Sequence, residues 1–191
     1  MTILAADQQC TPDDVLRLED EGLFELVDGQ LIEKQMSTLA NETAGRVATL
    51  LSVHTWPGNL GRVWPEQTIQ CFPADPKLVR RPDVAFVSAS RIGNRQFSGH
   101  VTIAPDIIVE VISPNDKYYE VEEKLIDYES AGVRLVWVVN PERPSVMIYR
   151  RDGSVSRLRE SDTLTGEDVL PDFKIKLADL VRPVDSAAEA K

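Results

Sequence analysis

The spacing of hydrophobic positions changes several times along the chain, and each change marks an element. From Leu39 to His54 the apolar residues Ala40, Ala44, Val47, Ala48 and Leu51 recur at helical spacing, and Pro57-Gly58-Asn59 ends the pattern. Ile107 to Ile112 is almost wholly apolar and β-branched, the signature of a strand buried on both faces. Ser113-Pro114-Asn115-Asp116 then supplies a cap, a proline and a first-turn acid. A helix is expected from there to Ala131, with Tyr118, Val121, Leu125 and Tyr128 on one face and Gly132 as its left-handed cap. Leu135 to Val139 is a second buried strand. Strand, helix and strand with short links predict a right-handed parallel βαβ unit.

The remaining elements are shorter. Thr11-Pro12-Asp13-Asp14 opens a helix expected to end near Gly22, because a capping hydroxyl, a proline and two acids suit a helix N-terminus. Phe24–Val27 and Gln30–Glu33 flank Asp28-Gly29 and predict a hairpin. Strands are expected at Arg62–Phe72 and Asp83–Val87, with Pro73 to Arg81 a loop between them and Ser88 to Thr102 an exposed loop after them. Val146–Tyr149 and Val155–Leu158 form a hairpin around Asp152-Gly153, and Val169 to Leu180 adds an edge strand and a short helix. The pattern predicts a mixed α/β fold with a central sheet, a helix on each face and an N-terminal β-hairpin arm. Residues 1–10 are expected as a flexible arm, 11–182 as a single domain and 183–191 as a disordered tail.

Composition narrows the classes. The chain has 191 residues, 42% hydrophobic and 27% charged, which suits one domain with a real core. No stretch approaches the roughly 20 apolar residues of a membrane span, so no membrane partner is expected. Met1 to Cys10 lacks a basic start and an apolar signal core, and Cys10 and Cys71 suit two reduced thiols; a cytoplasmic protein is expected. The net charge of −10 argues against a broad DNA-coating surface, since duplex affinity rests on basic residues displacing counterions. A nucleic-acid function must therefore rest on a local site.

Glu110 is the anomaly that suggests one. It falls inside an apolar strand, on the face of Ile108 and Ile112, where a lone carboxylate costs several kcal/mol unless paired, protonated or metal-bound. Asp83 opens another apolar strand after Pro82, and neighbouring strands would bring both acids into one pocket. A hard cation such as Mg²⁺ (Mn²⁺ substituting) resolves their repulsion and keeps positions for a phosphate oxygen and a water. Lys124, on the helix after Glu110, is the candidate to hold the attacking water or to neutralise developing negative charge. Structural alternatives stand beside each assignment: Glu110 paired with a buried arginine, Lys124 paired with Glu120 one turn away, and Asp83 as a turn residue.

These residues resemble the PD-(D/E)XK nuclease superfamily, with Pro82-Asp83 as its first motif and Glu110-Val111-Ile112 as its second. More closely, the chain resembles the bacterial Uma-two family of restriction endonucleases across about residues 11 to 182. The matching segments are Phe24-Glu25-Leu26-Val27-Asp28-Gly29, Arg81-Pro82-Asp83-Val84, Glu110-Val111-Ile112-Ser113-Pro114, Lys124 with Tyr128, Gly132-Val133, Val136-Trp137-Val138-Val139 with Pro141, and Val169-Leu170-Pro171. The resemblance implies a restriction-endonuclease-like core and a metal-dependent endonuclease hydrolysing phosphodiester bonds in DNA, with a homodimer as a possible assembly. It implies Asp83 and Glu110 as metal ligands, with the carbonyl of Ile112 as a third, and a catalytic lysine moved onto the following helix at Lys124.

Three positions depart from the pattern. Ile112 stands where the superfamily has its lysine, Asn41 lies near the place of an absent histidine, and Asp172 replaces a glycine after Pro171. Glu25, Glu42 and Glu66 are possible extra acids, Glu66 foremost, while Arg80 and Arg81 are read as phosphate contacts or as a solvated turn. The alternative function is a catalytically weak or inactive nuclease-fold module used for protein association, which the acidity and the missing second-motif lysine favour. A hydrolase acting on another phosphorylated or glycosidic substrate with two carboxylates ranks lower, because no aromatic sugar platform accompanies the acids.

Overall fold

The computed structural model describes residues 3–4 and 9–181. The expected tail at 183–191 and most of the expected arm at 1–10 lie outside the described residues. In chain order the elements are β1 (Ile3–Leu4), α1 (Pro12–Arg17), β2 (Phe24–Val27), β3 (Gln30–Glu33), α2 (Thr38–Thr55), β4 (Gly61–Pro65), β5 (Val84–Ser88), α3 (Ala89–Ile92), β6 (Ile107–Val111), α4 (Tyr118–Ser130), β7 (Leu135–Asn140), β8 (Ser145–Arg150), β9 (Val155–Arg159), β10 (Thr163–Gly166), β11 (Leu170–Lys176) and α5 (Leu177–Leu180).

Six strands form the central sheet in the order β4-β5-β6-β7-β8-β9. Only β6 and β7 run parallel, in register from Ile107 opposite Leu135 to Val111 opposite Val139; their neighbours are antiparallel. This is the expected βαβ unit, with α4 as its crossover. Alternation along β6 divides the core. Ile107, Val109 and Val111 pack with Ala40, Ala44, Val47 and Leu51 of α2, whereas Ile108 packs with Tyr128 of α4. Among the described residues no helix is long and apolar enough to cross a membrane.

The N-terminal hairpin forms as expected, with Leu26 opposite Leu31 and Asp28-Gly29 both at positive φ. It forms a small separate sheet, β1-β3-β2. An isolated bridge between Leu26 and Val79 ties it to the segment before β5.

Several expectations are corrected. Helix α1 ends at Arg17, short of Gly22, and turns fill the gap. The strand expected to run to Phe72 stops at Pro65, which donates no N–H, and Glu66 then takes a left-handed conformation at φ 52°. The loop from Pro73 buries its final residues: Leu78, Val79 and Arg80 are inside, and Ile69 bridges Arg80. The segment 88–102 is only partly exposed, because α3 buries Ile92, and His100 lies between the Thr68 hydroxyl and the Pro12 carbonyl. Leu170–Lys176 does not extend the central sheet. It pairs with β10, and this hairpin lays Leu164, Leu170 and Phe173 on the α2-side core, where Phe173 stacks on Trp137 at 5.8 Å.

Candidate metal and active site

The site lies on the α4 side of the sheet, where β5, β6, the N-terminal hairpin and α4 meet. Glu110 is the fourth residue of β6 and points toward α4, as alternation requires. Asp83 immediately precedes β5, which pairs with β6 through Val84 and Val109. That pairing sets the Asp83 carboxylate against the end of β6, where Oδ2 accepts the Val111 N–H. Both acids are buried and line one pocket of about 280 Å³ together with Glu25, Lys34, Ile112 and Lys124.

Lys124 lies one helical turn from Tyr128 on the inner face of α4, so the two side chains reach one carboxylate. Its ammonium is 3.4 Å from Glu110 Oε2 and 3.0 Å from Glu25 Oε1. The Tyr128 hydroxyl donates to Glu110 Oε1 at 2.5 Å. Lys124 makes no pair with Glu120, which is taken instead by Lys117 at 3.2 Å. Nor is Glu110 held by an arginine; its cation is Lys124.

Of the further acids, two join the cluster. Glu25 of β2 accepts the Arg81 N–H at 2.9 Å and pairs with Arg80 at 3.1 Å. Glu66, beside Asp83 through a backbone bond from Glu66 N–H to the Asp83 carbonyl, pairs with Lys34 at 2.9 Å. Glu42 does not join: it lies on the outer face of α2, paired with Arg46. Arg80 and Arg81 are buried and do not form a solvated turn. Arg80 is buried between Glu25 and Asp127, and Arg81 donates to the Phe24 and Glu66 carbonyls.

Lys34 is a further member of the cluster, one that no sequence pattern marks. It follows β3, is only 9% exposed in its side chain, and sets its ammonium 2.5 Å from Asp83 Oδ1 and 2.9 Å from both Glu66 Oε2 and the Arg81 carbonyl. Nothing local marks it, since its partners lie 32 to 49 positions further on. Glu25 did carry a signal, the same one as Glu110: a carboxylate between Phe24 and Leu26 in an apolar strand.

Burial and charge perturb these groups strongly. Burial, with the Asp83 and Glu25 charges, pushes Glu110 up to about 7 against the pull of Lys124 and Lys34. Burial also works against ionised Glu25, but Lys124, Arg80 and the Arg81 N–H outweigh it and hold the carboxyl down at about 2. Burial disfavours the Lys124 cation as well, yet Glu110 and Glu25 raise its pKa well above the ordinary lysine range. Lys124 is therefore a fixed cation at neutral pH, not a proton acceptor.

Among the described residues no three Asp, Glu, His or Cys side chains form a ready-made metal cage. Two carboxylates suffice for an ion that keeps most of its waters. Asp83 Oδ1 also fits one, being a buried carboxylate oxygen that receives no aligned hydrogen-bond donor. A larger groove of about 630 Å³, lined by Val136, Val138 and Met147 among others, lacks Asp83 and Glu110, which both line the smaller pocket.

The fold is that of a restriction-endonuclease-like mixed α/β domain. The chain belongs to the Uma2 family, described as "Putative restriction endonuclease", whose pattern it matches over residues 12–178. It is similar in structure to a putative nuclease belonging to DUF820 from Anabaena variabilis, with a TM-score of 0.75 and 21% identity over 90% of this chain and 97% of that one. A DrdV–DNA complex gives a TM-score of 0.39 at 17% identity, covering 74% of this chain and 11% of that one. No curated protein matches the chain.

Proposed function

We propose that this chain is a divalent-metal-dependent endonuclease that hydrolyses phosphodiester bonds in DNA, with Mg²⁺ as the working ion. The observation that carries the reading is the convergence of Asp83, Glu110 and the Lys124 ammonium in one pocket on adjacent strands and the crossover helix. Asp83 and Glu110 hold the metal, with the Ile112 carbonyl as a further donor. When bound, the ion polarises the phosphate and lowers the pKa of a water. Lys124 supplies a cation for the charge that accumulates on the phosphate oxygens. Tyr128 fixes the Glu110 rotamer, while Glu25 anchors Lys124 and is itself clamped by Arg80.

Incubation of purified protein with supercoiled plasmid and Mg²⁺ or Mn²⁺ tests this. Nicking is expected in the wild type and is abolished in Asp83→Ala and Glu110→Ala. Cleavage that persists in both variants would refute the assignment.

A second reading, a nuclease-fold module for protein association, draws on one observation: Lys34 and Lys124 already partner both acids. Mn²⁺ binding that is lost in Asp83→Ala argues against it.

A further inference from the structure

Asp83 has two carboxylate oxygens, and the fold engages both. Oδ2 accepts the Val111 N–H, which locks the carboxylate to the end of β6. Oδ1 is the oxygen left for a cation, and the Lys34 ammonium sits 2.5 Å from it. The contacts of that ammonium differ in kind. It donates hydrogen bonds to Glu66 Oε2 and the Arg81 carbonyl, both at 2.9 Å, while Asp83 Oδ1 receives no aligned donor. Toward Asp83, then, Lys34 acts as a bare charge. Two carboxylates and a backbone carbonyl are also the donor set a hard divalent ion selects.

We infer that Lys34 is a resident counter-cation of Asp83, and that a divalent ion engages Asp83 only by displacing the Lys34 ammonium. The inference rests on the metal-dependent reading above and adds a competitor built into the chain. An ammonium and a divalent ion cannot share one carboxylate oxygen at contact distance without strong repulsion. Lys34 has somewhere to go, because its side chain lines the pocket along with Glu33, Asp116, Glu120 and Glu123.

Mn²⁺ binding to the full chain, followed by electron paramagnetic resonance, provides the test with Lys34→Met, Lys34→Gln and Asp83→Asn. Removing a unit charge a few ångströms from the ion should tighten Mn²⁺ binding roughly 10- to 100-fold in both Lys34 variants. Asp83→Asn should abolish it. A second measurement needs no variant: acetic anhydride labelling of wild-type protein, read by mass spectrometry, should modify Lys34 faster with saturating Mn²⁺ than in chelator. Lys34 variants that bind Mn²⁺ no tighter than wild type, while Asp83→Asn loses binding, would overturn the counter-cation and leave the metal site standing. Lys34 equally protected with and without saturating Mn²⁺ would overturn it too. No Mn²⁺ binding by wild type or either Lys34 variant would remove both readings.

Discussion

The Tyr128 hydroxyl donates to Glu110 Oε1 at 2.5 Å, while Lys124, one turn earlier on α4, approaches Oε2. A single helix face thus engages both oxygens of the buried carboxylate. Tyr128→Phe keeps the ring beside Phe72 and removes only the donor. Above pH 7 it is expected to cost about 1 to 3 kcal/mol of stability, the usual penalty for stranding a charged buried acceptor. The Glu110 titration midpoint should also rise. Denaturant unfolding and carboxyl-carbon NMR measure the two effects, and a variant unchanged in both would make the bond energetically idle.

The opposed shifts of Glu110 and Glu25 predict the pH profile of the metal-free protein. Glu110 titrates near 7 in the fold against an ordinary 4.5, so its stabilising neutral form is fully present below pH 4.5 and is lost as pH rises through 7. Glu25, held at about 2, contributes stability that is present above pH 4.5 and lost as pH falls through 2. In chelator, Glu110→Gln should flatten the decline between pH 4.5 and 7, and Glu25→Gln the decline between 4.5 and 2. Unfolding curves collected across pH decide it; a Glu110→Gln profile parallel to wild type would contradict the first half.

Arg80 is expected to be a clamp between the hairpin and α4, bridging Glu25 and Asp127. Arg80→Met should cost about 3 to 5 kcal/mol, because it leaves Glu25 buried without one of its cations. It should not alter the salt dependence of DNA binding. A phosphate contact predicts the reverse, a slope of log affinity against log salt reduced by roughly 1 with little loss of stability.

What could be read from the sequence follows from how local the signals are. The β6–α4–β7 unit was legible because its apolar runs and its Gly132 stop are contiguous, although Ser113 to Asp116 forms a turn and the helix starts later, at Tyr118 after Lys117. Glu110 stood out because a charge inside an apolar strand is an exception wherever it falls. Lys34 and the buried arginines were not legible. Their burial depends on Glu66, Asp83, Glu25 and Asp127 arriving from other elements, and charge on a loop otherwise reads as solvent exposure. The left-handed turn at Glu66 was hidden for a related reason: a strand ended by Pro65 looks continuous when strand-formers such as Thr68 and Ile69 follow shortly after it.

Lys124 is the residue whose expected behaviour the structure changes most. A solvent-facing pair with Glu120 would make it cheap to remove, at less than about 1 kcal/mol. Buried between Glu25 and Glu110, it leaves Glu110 without its paired cation and Glu25 with Arg80 alone when it is lost. Lys124→Met should therefore cost about 3 to 5 kcal/mol, and a fall in nicking by that variant alone would say nothing about chemistry. The double variant Glu25→Gln with Lys124→Met removes one acid with the lysine and keeps the volume filled. Because the two sites are in contact, their effects should not add, and the double variant should be more stable than Lys124→Met. Its nicking rate, measured where it is fully folded, should stay down by on the order of 10² to 10³, since the cation facing the phosphate is still missing. If stability and nicking both return in the double variant, Lys124 serves the scaffold, and the charge on the phosphate must be met by another group in the pocket.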